Sequence, residues 1–153
     1  MTNLDSAPAS PKGGKDQARL ADYIRIARFD HMTKHVFIVP GIVLALLLRG
    51  YPENTGIGPL FWMMLVGFVA AVFVASANYV INEWLDRDFD RFHPEKSQRA
   101  AVQREMSGKI VLLEWAVLLI LGLGLATLVN ITFFWAALLL AISGVTYNVM
   151  PVR

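Results

Sequence analysis

Long apolar runs alternate with short polar, strongly charged ones along this chain. That alternation predicts helices long enough to cross a membrane. Four spans are expected, at about residues 29–48, 59–86, 110–129 and 131–149. Each meets or approaches the roughly 20 residues that a bilayer crossing needs. The strictly apolar part of the first, Val36–Leu48, is short, so Asp30, His31, Lys34 and His35 fall at or just inside the membrane edge. The second helix is expected to continue past its apolar part to Asp86 or beyond. Asn130 and Thr132 mark a tight turn between the last two spans. Residues 1–20 are polar, contain Pro8, Pro11, Gly13 and Gly14, and lack the apolar centre of a signal peptide. They are expected to be a disordered cytoplasmic tail.

Composition agrees with this pattern. Hydrophobic residues make up 56% of the 153, above the roughly 45–50% of soluble domains. The net charge of +2 carries no nucleic-acid signal, and the absence of cysteine excludes disulfides and thiol chemistry. The basic residues cluster by loop. Lys12, Lys15, Arg19, Arg25, Arg28 and Lys34 precede or open span one. Arg87, Arg91, Lys96, Arg99, Arg104 and Lys109 follow span two. The other connections hold only Arg49 or none. This predicts an even number of crossings with both termini and the 83–109 segment in the cytoplasm.

The chemistry concentrates between Asn78 and Arg99. Asn78, Asn82, Asp86 and Asp90 recur at every fourth residue and so share one helix face. Asp86 and Asp90 are hard oxygen ligands suited to Mg²⁺, with Asn82 as a further oxygen. Mg²⁺ commonly takes one or two carboxylates and completes its shell with phosphate oxygens and water. Asp88 points to another side and is expected to be solvated. The plain alternative is a charged, solvated helix end, but it does not account for the spacing of four.

Beyond Pro94, which limits helix continuation, Lys96 and Arg99 are placed to fold back and neutralise phosphate charge. His93, Lys34 and Arg28 are further candidates for substrate phosphate. Asn78, Asn82 and Tyr147, the last closing span four beside Asn148, are candidates for substrate contact. The alternative for the basic loop is that it sets topology only. Glu114, inside span three, should face protein or a cavity. Trp62, Trp84, Trp115 and Trp135 are expected to be interfacial anchors, and Gly122 and Gly124 to permit close helix packing.

Asn82-x-x-x-Asp86-x-x-x-Asp90 at the end of a second membrane helix resembles the first aspartate motif of the UbiA prenyltransferase superfamily. The second position of that motif is Glu83 here, where many members have Asp. Arg25-Ile-Ala-Arg28-Phe-Asp-His-Met-Thr-Lys34-His resembles the family's lead-in to its first helix, with Lys34 at a position that meets donor phosphates. Positions 31 and 35, commonly tryptophan and asparagine, are histidine. The resemblance implies an all-α integral membrane bundle and Mg²⁺-dependent transfer from a diphosphate at the cytoplasmic face of a bacterial plasma membrane.

His93-Pro94-x-Lys96-x-x-Arg99 is similar to the decaprenyl-phosphate phosphoribosyltransferase branch. There phosphoribosyl diphosphate is the donor and a polyprenyl phosphate the acceptor, in cell-envelope synthesis. Position 100, usually proline in that branch, is Ala100. Phosphoribosyl transfer is therefore the first expectation. Prenyl transfer from a polyprenyl diphosphate to an aromatic acceptor is the second, and a non-catalytic membrane subunit the third. No aspartate follows Asp90, so the family's second aspartate motif is expected on a missing C-terminal half of the bundle, without which residues 1–153 are expected to be inactive.

Overall fold

The computed structural model describes residues 15–30, 38–49 and 56–149. They form α1 (Leu20–Ile26), α2 (Ile38–Arg49), α3 (Ile57–Asp90), a 3₁₀ turn (Lys96–Gln98), α4 (Ala100–Gln103), α5 (Gly108–Val129) and α6 (Ile131–Val149). Among the described residues, the only β-type pairing is a single bridge between Gln17 and Glu105. The fold is all-α. Three helices, α3, α5 and α6, are long and apolar enough to cross a membrane. Of the first expected span, residues 29–30 and α2 are described. The 12 residues of α2 reach about 18 Å at roughly 1.5 Å per residue. His31, Lys34 and His35 lie outside the described residues.

The 34 residues of α3 make a rod about 50 Å long at roughly 1.5 Å per residue, well beyond a hydrocarbon core of about 30 Å. Its apolar run therefore spans, and its last turns, which carry Asn82 to Asp90, project into a polar zone. Extended Gly56 opens it, and Pro59 falls in the first turn, where a missing N–H goes unnoticed. At the far end Phe92 and His93 donate main-chain N–H groups to Phe89 and Asp90, and Pro94 follows. Between α5 and α6, Asn130 is extended. Its Oδ1 accepts from the Phe133 N–H at 2.8 Å, an N-cap in the usual sense. Thr132 lies within α6.

Two cores hold the bundle. One, at the polar end, joins Tyr23, Ile26 and Ala27 to Ala77, Val80, Ala100, Ala101, Val111 and Leu118. The other lies deeper and is built from small residues, Ala70, Val74, Ala126, Ala137 and Ala141. Small side chains let helix axes approach where lipid supplies no hydrophobic drive for association. Gly122 shows this directly. A Cβ there would lie 2.7 Å from Val74 Cγ2 and 3.1 Å from the Ala70 carbonyl oxygen. Gly124 differs from expectation, with nothing within 4 Å of its would-be Cβ; it faces away from α3.

Two further expectations change. The tail does not run to residue 20. Asp16 to Ala18 lies beside Glu105, with Ala18 N–H donating to Glu105 O and Glu105 N–H to Asp16 O, both at 3.0 Å. Residues 1–14 lie outside the described residues. Trp84 is packing rather than anchorage. Its ring leaves no room for a Cβ at Gly108 and is stacked by the Arg87 guanidinium at 4.5 Å. Trp62 and Trp135 are exposed, as an anchor requires.

Candidate active site

Three carboxylates are buried on the last turns of α3: Glu83, Asp86 and Asp90. Glu83 and Asp90 are seven residues apart, which is close to two turns, so they share a face with Asp86 between them. Buried carboxylates need cations or donors. The chain supplies them from both sides. Arg28, at the exit of α1, donates from both Nε and Nη2 to Glu83 Oε2 at 3.0 Å. Arg99 donates to Asp90 Oδ2, and the Lys96 ammonium stands 3.8 Å from Asp90 Oδ1. Asp88 is 59% exposed and paired with Arg91, as its position on another side predicts.

These cations border one cleft of about 310 Å³, lined by Arg25, Arg28, Asp30, Glu83, Glu95, Lys96, Gln98, Arg99 and Ala100. Its walls carry four positive side chains, Arg25, Arg28, Lys96 and Arg99, and three carboxylates, Asp30, Glu83 and Glu95. Of the expected site residues, Arg28, Lys96 and Arg99 are brought together here, beside Asp90. His93 is exposed and lies outside the cleft lining. Its Nδ1 accepts the main-chain N–H groups of Glu95 and Lys96, each at 3.3 Å, so it orders the loop that presents Lys96. Lys34 lies outside the described residues.

The asparagines take a different direction. Asn78 Nδ2 donates to the Leu140 carbonyl at 3.0 Å, and its amide packs against Gly144 so closely that no Cβ would fit there. It ties α3 to α6. Asn78, Asn82 and Tyr147 line a separate cleft of about 410 Å³ between these helices, with Tyr79 and Asn148. The stripe of four is thus divided between helix packing at one end and a charged site at the other.

The oxygen donors available to a cation are Asp86 and Asp90, with the Asn82 amide one turn earlier. Among the described residues no cluster of three or more His, Cys, Asp or Glu side chains is gathered for a metal. The set is of the hard-oxygen kind that suits Mg²⁺ completed by substrate and water. Glu114 faces a separate apolar cleft of about 270 Å³ between α1 and α5.

Sequence reasoning places Glu83 in the motif and Arg25 in the lead-in to the first helix but gives neither a role in the site. Glu83 had a signal, its seven-residue separation from Asp90. Arg25 had one in its spacing of three from Arg28.

Residues 37–152 match the family model described as the UbiA prenyltransferase family. A 4-hydroxybenzoate octaprenyltransferase of Cupriavidus metallidurans is 28% identical over 148 residues, 96% of this chain and 46% of that protein. One from Cupriavidus necator is 30% identical over 131 residues, 84% of this chain and 44% of that protein. Nodulation protein NoeC of Azorhizobium caulinodans is 32% identical over 109 residues, 71% and 32% of the two chains. The chain thus spans less than half the length of these curated relatives. No solved structure matches it. With spanning helices that carry a buried acidic end, and with most of its length matched, this integral membrane chain belongs to the UbiA prenyltransferase family.

Proposed function

We propose that this chain is part of a membrane transferase that moves a prenyl group from a polyprenyl diphosphate to an aromatic acceptor. The observation that carries it is the basic cleft of Arg25, Arg28, Lys96 and Arg99 beside the buried carboxylates of α3. Loss of diphosphate leaves negative charge, and cations fixed beforehand stabilise it where it develops. Asp86 and Asp90, with Asn82, would hold Mg²⁺, which when bound neutralises diphosphate oxygens and makes them a better leaving group. Lys96 and Arg99 bind phosphate oxygens from the loop, Arg25 from α1 and Arg28 from just past its end. An apolar cleft of about 590 Å³ among α2, α3 and α6, lined by Ile38, Met63, Met64 and Phe133, suits a lipid tail.

The aromatic acceptor is favoured by the 4-hydroxybenzoate octaprenyltransferases among the relatives. Phosphoribosyl transfer, the first expectation from the sequence, rested on His93, Lys96 and Arg99. Those residues have local partners in the loop and Asp90, so their spacing does not require a phosphoribosyl donor. The bundle is completed in this reading by further helices that bring a second acidic motif. In this reading the membrane is a bacterial plasma membrane and the site faces the cytoplasm, an orientation that the distribution of Lys and Arg favours.

The test is transfer by the protein in membranes containing Mg²⁺, with 4-hydroxybenzoate and a polyprenyl diphosphate in one arm. The other arm holds phosphoribosyl diphosphate and a polyprenyl phosphate. A prenylated aromatic in the first arm supports the proposal. Product in the second arm alone reverses it.

A further inference from the structure

Arg28 is the one non-glycine residue with a positive φ among those described, at 53°. That region carries a steric penalty for a residue with a Cβ, and helices that end through it commonly use glycine. Here the residue just past α1 is an arginine, and something must hold it. The restraint is visible. Its Nε and Nη2 both reach Glu83 Oε2 at 3.0 Å, and its guanidinium lies 5.8 Å from the centre of the Tyr79 ring. The Glu83 side chain is only 5% exposed, whereas that of Arg28 keeps 21%. Both residues line the cleft, and Glu83 is the more deeply buried of the two, so it anchors the more exposed Arg28 at the cleft wall.

We propose that Glu83 is a positioning residue and not a metal ligand: its carboxylate fixes Arg28 in the left-handed conformation that aims it into the diphosphate cleft. The proposal rests on the transferase reading above. One oxygen of Glu83 takes two donors from Arg28, which directs the carboxylate at α1. The pair bridges 55 residues of sequence. It fixes the Arg28 contribution to the cleft that Lys96 and Arg99 also line. A diphosphate in the cleft would meet cations from both segments, and the placement of Arg28 depends on Glu83.

The experiment measures binding of inorganic diphosphate with Mg²⁺ to the protein in detergent, alongside KM and kcat for the prenyl donor and the thermal midpoint. Glu83→Gln should weaken diphosphate binding and raise donor KM about tenfold, the size of one lost charge-assisted contact, with kcat within about twofold. Mg²⁺ affinity measured without diphosphate should stay unchanged. Glu83→Asp, which keeps the charge but withdraws it by one methylene, should fall between Gln and wild type. It also gives the same reading should the Gln variant not fold. Wild-type diphosphate affinity in folded variants, with only the thermal midpoint lowered, overturns the positioning role. Lost Mg²⁺ affinity without diphosphate overturns it in favour of a ligand. A wild-type protein that binds no diphosphate refutes the transferase reading itself.

Discussion

Arg99 reaches back over nine residues to the Asp90 carboxylate, closing the loop that follows α3 onto the last turn of that helix. The side chain of Asp90 is 6% exposed and that of Arg99 18%, so the pair is largely shielded from water, where charge pairing is strong and separation costly. Lys96 approaches the other oxygen of the same carboxylate. Two cations therefore occupy the group best placed to hold a metal. In the proposed reading a cation and a metal would compete for Asp90, and a loop cation displaced by the metal would become available to phosphate.

That competition has a sign that can be measured. Arg99→Ala should raise the affinity for Mg²⁺ alone by a few-fold, on the order of 1 kcal/mol, because a competing positive charge is removed. The same variant should bind Mg²⁺ together with diphosphate more weakly than wild type. Arg99→Lys should not restore diphosphate binding fully, since a planar fork of donors fits phosphate better than a point charge. Calorimetric titration with and without diphosphate separates the two effects. Weakening of both would show that Arg99 serves folding alone.

Carboxylate position should govern activity. Asp86→Ala and Asp90→Ala each remove a buried negative charge from the acidic face and should lower transfer by at least about a hundredfold. Asp88→Ala removes an exposed partner of Arg91, and surface pairs of this kind are worth about 0–1 kcal/mol. Its activity should stay within about threefold of wild type. Equal losses in all three variants, measured as initial rates at saturating Mg²⁺, would mean that the end of α3 matters as a whole and not through a directed face.

How far these features were legible in the sequence depends on their range. The limits of α3, α5 and α6 were, because apolar runs, Asn130 and Pro94 are local signals. The shared face of Asp86 and Asp90 and the exposure of Asp88 followed from helical period; that the shared face is buried did not. The Arg28–Glu83 pair did not, since a contact across 55 residues leaves no periodic trace. The contact of Asn78 with α6 was not legible for a related reason. Period places Asn78 on the stripe, but only the approach of Gly144 shows that α6 uses that part of the face. Gly122 and Gly124 look alike in sequence and differ only in what lies opposite.

The two glycines make a paired test of packing. Gly122→Ala would put a Cβ 2.7 Å from Val74 Cγ2 and 3.0 Å from the Val74 main-chain nitrogen. The backbone cannot yield cheaply, so α3 and α5 must separate. Overpacking of this kind costs about 1–3 kcal/mol. Gly124→Ala meets nothing within 4 Å and should be neutral or stabilising by up to about 1 kcal/mol, the helix-propensity difference. Thermal unfolding in detergent, followed by circular dichroism, should lower the midpoint for the first and hold or raise it for the second. Equal midpoints would refute the close approach of α3 to α5 at this level.

Orientation can be tested without background, because the chain has no cysteine. Ser97 lies in the 3₁₀ turn after α3, and Thr132 in the first turn of α6, with the whole of α5 between them. If α5 crosses the membrane once, the two positions face opposite compartments. Arg87, Arg91, Lys96, Arg99, Arg104 and Lys109 flank Ser97. No Lys or Arg lies in the sequence between Lys109 and Arg153. Basic loops are retained on the cytoplasmic side. Ser97→Cys should therefore resist a membrane-impermeant maleimide in intact cells and react after permeabilisation. Thr132→Cys should react in intact cells. The reverse pattern would place the acidic end of α3 outside, away from cytoplasmic Mg²⁺ and diphosphate metabolites. Labelling of both positions from one side would refute a single crossing by α5.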